Sequence, residues 1–287
     1  MSTTTTRAHA ASAASAASAP RTPRRGSAHS RSETPATLMR VYQLLLTALV
    51  LGAWEILGRA GIIDTFFFSL PSAIGEAVWD WIVTGFIFPH LWITLQEALY
   101  AFIIGTGLGL VLGFLLARVR FLERLFEPFV QMFNALPRVV LAPIFLLWFG
   151  LGIESKVAFG VTLVFFIVFF NVLQGVKSVD KVLLDNARML GATERHLIQH
   201  VVLPSALTWI FSSLHISVGF AIVGAVVGEY LGAAAGVGYV IAQAQGVFDT
   251  EGVFAGMFIL MIVVLFVDLG VNRIERYLLR WRPVPGA

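Results

Sequence analysis

The sequence predicts an all-α membrane protein that crosses the bilayer six times. Hydrophobic residues make up 57% of the 287 residues and charged residues only 13%, a more apolar balance than that of an average soluble domain. The apolar residues form separate blocks of about 20 residues, the length that a helix needs to cross the hydrocarbon core of a bilayer. Lys and Arg lie mainly in alternate segments between the blocks, as in the cytoplasmic loops of membrane proteins.

The first segment, residues 1–37, is rich in Thr, Ala, Ser, Arg and Pro and has almost no large apolar side chain. Such a segment cannot offset its ordering entropy by burial, so we predict a disordered cytoplasmic tail. The tail lacks the apolar core of a secretory signal. An organelle transit peptide shares its basic, acid-poor composition, but the amphipathic spacing of apolar residues is missing, so this alternative is less favoured.

The remaining segment, residues 38–282, is predicted to be the transmembrane domain. Ile62–Leu91 is not counted as a span, because two Asp, one Glu and two Pro residues interrupt it. We expect an external loop there, with a surface helix from Pro71 to about Trp81. The six predicted spans are Leu38–Leu57, Trp92–Leu116, Pro128–Phe149, Lys156–Val176, Ser205–Val227 and Gly252–Val271.

The distribution of Lys and Arg predicts how the spans are oriented. Seventeen of the 20 Lys and Arg residues lie in the N-terminal tail, in the loops after the second and fourth spans, and after the sixth span. The opposite side has only Arg59 and Lys156, and Arg138 lies within the third span. Both termini and the loop at residues 177–204 are therefore predicted to be cytoplasmic.

This loop contains a spaced pattern of small and apolar residues within a polar segment, DNARMLGATERHLIQHVVLP. Ala187 and Gly191 lie four residues apart and, with Ala192 beside them, form a face small enough to sink into a groove. Gly191 also permits a turn between two short helices. Pro204 is expected to begin the fifth span, where a missing N–H does no harm. The charged residues are expected to form a polar rim; they are Asp185, Arg188, Glu194 and Arg195.

The spacing resembles that of the loop by which permeases of the binding-protein-dependent ABC importer family dock on their ATPase. The matching positions are Asp185, Asn186, Ala187, Gly191, Val201, Leu203 and Pro204; Asp at 185 and Asn at 186 are mild departures from the family pattern. From about Leu70 to Arg282 the chain is similar to the branch that serves nitrate, taurine, alkanesulfonates, bicarbonate and pyrimidine precursors of thiamine. The segments Ala135–Gly152 and Gly228–Ala244 carry this resemblance together with the loop. For the loop at residues 177–204, the alternative to an ATPase-docking element is an ordinary solvated loop.

The resemblance implies a type I ABC importer permease-like fold in a bacterial inner membrane. It further implies a permease homodimer that works with two cytoplasmic ATPase subunits and a periplasmic or extracellular solute-binding protein, its spans surrounded by lipid. ATP and magnesium would belong to the ATPase, because this chain has no Gly-rich phosphate loop followed by Lys-Ser/Thr. We therefore expect no catalytic residue, metal site or cofactor in the chain itself.

Polar groups inside the spans are the candidates for a translocation pathway. Arg138 lies between Pro137 and Pro143, which interrupt the helical ladder and expose carbonyl groups along a cavity. Its guanidinium can attract an anion such as a sulfonate or nitrate; alternatively it reaches the cytoplasmic interface or pairs with Glu97 or Glu127. Asn134 and Glu229 are further candidates, although each can equally form a packing hydrogen bond between helices.

These features predict the permease subunit of an ATP-driven importer for a small anionic solute. An ion-gradient-driven secondary transporter is the alternative, and it would be expected to show inverted halves with buried acidic ion sites. An intramembrane enzyme is disfavoured, because the spans hold no HExxH pair or Ser/His/Asp set and the chain has no Cys. Nucleic-acid binding is disfavoured because the basic residues lie at block edges and not along one face.

Overall fold

The computed structural model describes residues 36–278, and every regular element in this range is helical. The chain divides into two units between Ala48 and Leu49, inside the first helix. The predicted tail lies outside the described residues, except for its last two residues, which begin the first helix. Arg280 and Arg282, near the C-terminus, also lie outside the described residues. The helices are α1 Ala36–Arg59, α2 Thr65–Phe68, α3 Pro71–Val83, α4 Ile87–Arg118, α5 Arg120–Ala135, α6 Leu141–Phe149, α7 Ile153–Lys177, α8 Lys181–Met189, α9 Glu194–Leu197, α10 Leu203–Leu231, α11 Val237–Gly246 and α12 Thr250–Leu278.

Five helical segments in the described range are long and apolar enough to cross a membrane, and a bent pair of helices supplies a sixth if it is counted as one span. The five segments confirm the predicted first, second, fourth, fifth and sixth spans, with ends that differ by up to eleven residues. α3 confirms the surface helix predicted between the first two spans. The five segments are Leu38–Arg59, Ile87–Arg118, Ile153–Lys177, Glu194–Leu231 and Thr250–Ile274.

The predicted third span is not a continuous helix. It is divided between α5 and α6, which are bent by 80° relative to each other. Leu136 at the break is extended (φ −67°, ψ 133°), because the ring of Pro137 disfavours helical backbone in the residue before it. α5 begins at Arg120, eight residues before the predicted start, and carries Pro128 in its interior. Arg138 consequently lies at a bend and not along a regular helix.

The central helix of the second unit is α7, which packs between α4 and α10 at rows of glycine. A methyl group on Gly109 would lie 2.8 Å from Cβ of Val168 and 3.0 Å from the carbonyl oxygen of Phe165. At the contact with α10, a methyl group on Gly224 would lie 2.6 Å from Cα of Gly160 in α7. Such close backbone approach is how small residues join helices in membranes. The row on α4 and the valines facing it are Gly105, Gly109 and Gly113 with Val164, Val168 and Val172.

Replacing Gly109 by alanine is expected to destabilise the protein, because the added methyl forces α4 and α7 apart. We expect the free energy of unfolding in detergent to fall by about 1–3 kcal/mol, the usual cost of overpacking. Gly107→Ala is the matched control, because it lies on the same helix and its added methyl would meet no atom within 4 Å. Equal unfolding transitions for the two variants would contradict the close α4–α7 contact.

Candidate functional site

The segment between α7 and α10 folds into the two short helices α8 and α9, each begun by a local cap. The Asp180 carboxylate accepts a hydrogen bond from the N–H of Val182 (2.8 Å) at the start of α8. The Thr193 hydroxyl accepts one from the N–H of His196 at the start of α9. Gly191 turns the chain between them with φ +87°, a conformation that favours glycine. The predicted pair of short helices on either side of Gly191 is present.

The fifth span does not begin at Pro204, as predicted, but continues directly from α9. Residues 198–202 form a π-helical turn, in which the N–H of Leu203 donates to the carbonyl oxygen of Ile198. In a regular helix the ring of Pro204 would clash with the carbonyl group of His200. The wider turn relieves this clash, as π turns do inside helices. One helix therefore runs through residues Glu194–Leu231.

The end of α8 carries two apolar side chains that are almost fully exposed. Met189 is 85% exposed and Leu190 is 90% exposed; together they are called the apolar tip below. Beside the tip is an open groove of about 450 Å³ whose lining includes Ala187, Gly191 and Ala192. The described part of the chain buries neither side chain, so the apolar tip is available for contact with another molecule. The apolar tip was not among the predicted site residues, although two large apolar residues within a charged loop were a readable signal.

The charged residues of the loop hold α8 and α9 together and attach them to α4. The guanidinium of Arg188 contacts Asp185 (3.1 Å) and Glu194 (3.2 Å). Glu194 also accepts a hydrogen bond from Arg118, at the end of α4 (2.8 Å). Exposed ion pairs contribute only about 0–1 kcal/mol each. Their effect here is to fix the orientation of the loop relative to α4.

The other predicted docking residues lie around the tip or behind it. The carbonyl oxygen of Asn186 accepts a hydrogen bond from the N–H of Leu190 (3.1 Å), which closes the last turn of α8. Val201 lines the groove. Leu203 and Pro204 are not among the residues of its lining and belong to the start of α10. The small residues of the sequence pattern thus gather at the groove, whereas its Leu-Pro end belongs to the supporting helix.

A second group of predicted residues meets at the bend between α5 and α6. The Arg138 guanidinium donates a hydrogen bond to Asn134 and lies 5.0 Å from the ring centroid of Phe166. Its Nε is buried without a hydrogen-bond partner, and no carboxylate of the described residues forms an ion pair with it. A cation without an anion is costly inside a span. The bend, which Pro137 begins and Pro143 follows in α6, therefore carries a positive charge that no carboxylate of the described residues neutralises.

Glu229, the remaining pathway candidate, belongs to a separate buried cluster. It is 1% exposed, and its Oε1 and Oε2 accept hydrogen bonds from the Thr94 hydroxyl and the Gly238 N–H, both at 2.7 Å. Lys156, assigned above to the external side as a loop charge, is also buried: it is 1% exposed within α7. Its Nζ donates to the carbonyl oxygen of Leu151 (2.6 Å). Its stem is covered by α10 at Gly228, a distant part of the chain, so the local sequence gives no signal of its burial.

Comparison with known proteins gives one consistent result. Residues 105–280 match the family described as binding-protein-dependent transport system inner membrane component. An aliphatic sulfonates transport permease protein, SsuC of Bacillus subtilis, is 35% identical over 83% of this chain and 87% of its own length. The formylaminopyrimidine transport permease protein ThiX of Halalkalibacterium halodurans is 36% identical over 85% of this chain and 99% of its own. An inward-facing structure of the MetNI methionine ABC transporter shares the fold, with a TM-score of 0.59 and 20% identity over 68% of this chain and 97% of its own.

Proposed function

The chain belongs to the family of binding-protein-dependent transport system inner membrane components, and we propose that it docks on an ATPase through the α8–α9 loop and imports a small anionic solute. Membership makes it a membrane-spanning permease subunit of an ABC importer. It transports and does not itself hydrolyse ATP in this proposal. The ATPase supplies both the nucleotide site and its magnesium.

The apolar tip is the observation that carries the docking proposal. Burying a side chain as large as Met189 or Leu190 is worth about 1.5–3 kcal/mol, and neither contributes this to the fold because both are exposed. The small residues Ala187 and Gly191 let the loop sink into a groove on the ATPase. Arg188 and its acidic partners then lie at the rim of the contact, where polar groups keep access to water.

The loop is built so that its movement reaches the membrane. Glu194 connects it to α4 through Arg118, and the same residue begins the helix that continues through α10. In the proposed homodimer, closure of two ATPase subunits on ATP draws two such loops together. A loaded solute-binding protein on the other side favours the outward-open form. Each partner shifts the equilibrium only by its different affinity for the two states.

The proposed orientation places the loop and both termini in the cytoplasm, where ATP is available. With Lys156 buried, the seventeen Lys and Arg residues assigned above to the cytoplasmic side are opposed by Arg59 alone on the other side. The correction therefore strengthens the charge bias on which the orientation rests.

The solute class is proposed from Arg138. The relatives' names refer to solutes as different as aliphatic sulfonates and formylaminopyrimidine, so relationship alone does not select one. The Arg138 guanidinium retains a buried N–H without a partner. Its rigid fork of donors matches the oxygens of sulfonate, nitrate or carboxylate groups, and hydrogen bonds to charged groups are the strong ones. We propose a small oxyanion or sulfonate as the solute.

Uptake by a strain that lacks this gene tests the proposal. We expect the strain to lose growth on an alkanesulfonate or taurine as sole sulfur source, or on nitrate as sole nitrogen source, and the intact gene to restore it. Uptake of the labelled solute should stop when ATP is depleted while the ion gradient is kept. Uptake that continues on the gradient alone would identify a secondary transporter. Normal growth on all three solutes would overturn the anion assignment.

A further inference from the structure

Three ionisable side chains are buried together between the helices, and the proposed function uses none of their charges. Glu97 of α4 is 2% exposed, and Lys156 of α7 and Glu229 of α10 are each 1% exposed. All three lie within candidate membrane spans. An unpaired charge in such a place costs several kcal/mol. Each of the three groups is therefore expected to adopt the protonation state that its hydrogen-bond partners stabilise.

Both side-chain oxygens of Glu229 are placed to accept hydrogen bonds. Its two oxygens receive the Thr94 hydroxyl and the Gly238 N–H, both at 2.7 Å. An ionised carboxylate is the form that offers only acceptors. The Gly238 N–H belongs to the first turn of α11, and the N-terminus of a helix favours a negative charge. The geometry at Glu229 therefore fits a carboxylate.

The whole start of α11 is held by side chains of α4 and α10. The N–H of Gly236 donates to Nδ1 of His90 (3.1 Å), and the N–H of Val237 donates to the Thr94 hydroxyl oxygen (3.0 Å). With the bond from Gly238 to Glu229, three successive N–H groups at this helix start are satisfied by other helices. Side chains thus take the place of solvent in capping α11.

Glu97 lies on α4 three residues after Thr94, whose hydroxyl group contacts Glu229 (2.7 Å), so it is buried close to the Glu229 carboxylate. Two neighbouring buried carboxylates repel each other, so one of the two groups is expected to keep its proton. Because both oxygens of Glu229 already receive hydrogen bonds, Glu97 is the group expected to keep it. One oxygen of Glu97, Oε2, has no partner among the described residues, as is more easily tolerated by a neutral acid than by a buried anion.

Lys156, on α7, supplies the positive charge of the cluster. Its Nζ donates to the carbonyl oxygens of Leu151 (2.6 Å) and Gly152 (3.0 Å), between α6 and α7. Its stem packs against α10, where a methyl group on Gly228 would lie 2.9 Å from the Lys156 Cγ. One ammonium, one carboxylate and one neutral acid sum to zero charge. The cluster thus joins four helices and leaves no net charge in the membrane.

We propose that Glu229 is a positioning residue whose carboxylate fastens the start of α11 to α4 and α10, and that Glu97 is a neutral acid that adds no second negative charge beside it. α11 then moves with α4 and α10 as one body during transport. Glycine is needed at the contact, because a methyl group on Gly238 would lie 2.9 Å from Cβ of Glu229. The transport readout below rests on the proposed function; the protonation readout does not.

Infrared spectroscopy of the purified transporter with its ATPase, in lipid nanodiscs, tests where the proton resides. At neutral pH we expect the carbonyl band of a protonated, buried carboxylic acid in the wild-type protein. Glu97→Gln should remove the band and Glu229→Gln should retain it. Absence of the band from the wild type, or its persistence in Glu97→Gln, would overturn the assignment. Neither result depends on which solute is carried.

Uptake measurements with Glu97→Gln and Glu229→Leu test the positioning role. Gln at 97 is neutral, like the acid that it replaces in this proposal, so uptake should stay within about twofold of wild type. Leu at 229 leaves the buried Gly238 N–H without an acceptor, so uptake should fall by about tenfold or more while the ATPase stays bound. Wild-type uptake by Glu229→Leu, or equal losses in both variants, would overturn the positioning role. Should Glu229→Leu fail to fold, the infrared comparison of wild type with Glu97→Gln still decides the proton.

Discussion

Replacing Leu190 by aspartate is expected to abolish uptake and to release the ATPase from the purified transporter. Leu190 is 90% exposed, so the change removes no packing within the chain and the variant should fold. In the proposed complex with the ATPase the same side chain is buried in an apolar groove of that partner. Losing its burial and desolvating a carboxylate there should weaken ATPase binding by at least about 100-fold.

The measurement is co-purification of the ATPase with the tagged permease, followed by a binding titration in nanodiscs. Leu190→Met is the matched control, because it keeps an apolar side chain of similar volume and should bind normally. The Leu190→Asp variant should also keep the wild-type unfolding transition. An undiminished ATPase affinity for Leu190→Asp would remove the apolar tip from the interface.

Replacing Arg138 by glutamine is expected to reduce uptake of an anionic solute by about 10- to 150-fold, the loss that follows when a charged hydrogen-bond donor worth ~1.5–3 kcal/mol is removed. The guanidinium has no carboxylate partner among the described residues, so its removal leaves no opposite charge unpaired. Glutamine retains the capacity to hydrogen-bond with Asn134. Folding and ATPase binding should therefore be unchanged.

Initial rates of uptake at low solute concentration provide the readout for Arg138. Arg138→Lys separates charge from shape: it keeps a cation but loses the planar fork, so a smaller loss is expected. Equal rates for wild type and Arg138→Gln would show that the solute does not contact this side chain, and would favour a neutral solute.

The membrane architecture was predictable because it depends on sums over many residues. A stretch of about 20 apolar residues has one stable arrangement in a bilayer, so errors of a few residues do not alter the result. The turn at Gly191 between two short helices was also predictable, because it depends on local spacing. The apolar tip next to the turn was equally local, yet the pattern directed attention to the small residues and not to Met189 and Leu190.

The break in the third span and the buried cluster required different information. Leu136 precedes a proline, which indicates a possible break, but hydropathy carries no information about a change in helix direction. A proline alone does not locate the break either, because Pro128 lies inside α5 without ending it. Glu97 and Glu229 are 132 positions apart, and their contact depends on how three helices pack. No spacing rule in a single sequence could have joined them or buried Lys156 beside them.

The continuous helix from Glu194 to Leu231 joins the α8–α9 loop directly to the membrane. Its 38 residues span about 57 Å at ~1.5 Å per residue, and at Gly224 it comes close to the backbone of α7 at Gly160. A rigid rod that pivots there has arms of about 45 Å toward the α8–α9 loop and about 10 Å toward the far end. Displacement at the long arm is then reduced roughly fourfold at the short one, and force is multiplied in the same ratio. The pivot can lie at this point because Gly160 and Gly224 have no side chains to hold the two helix backbones apart.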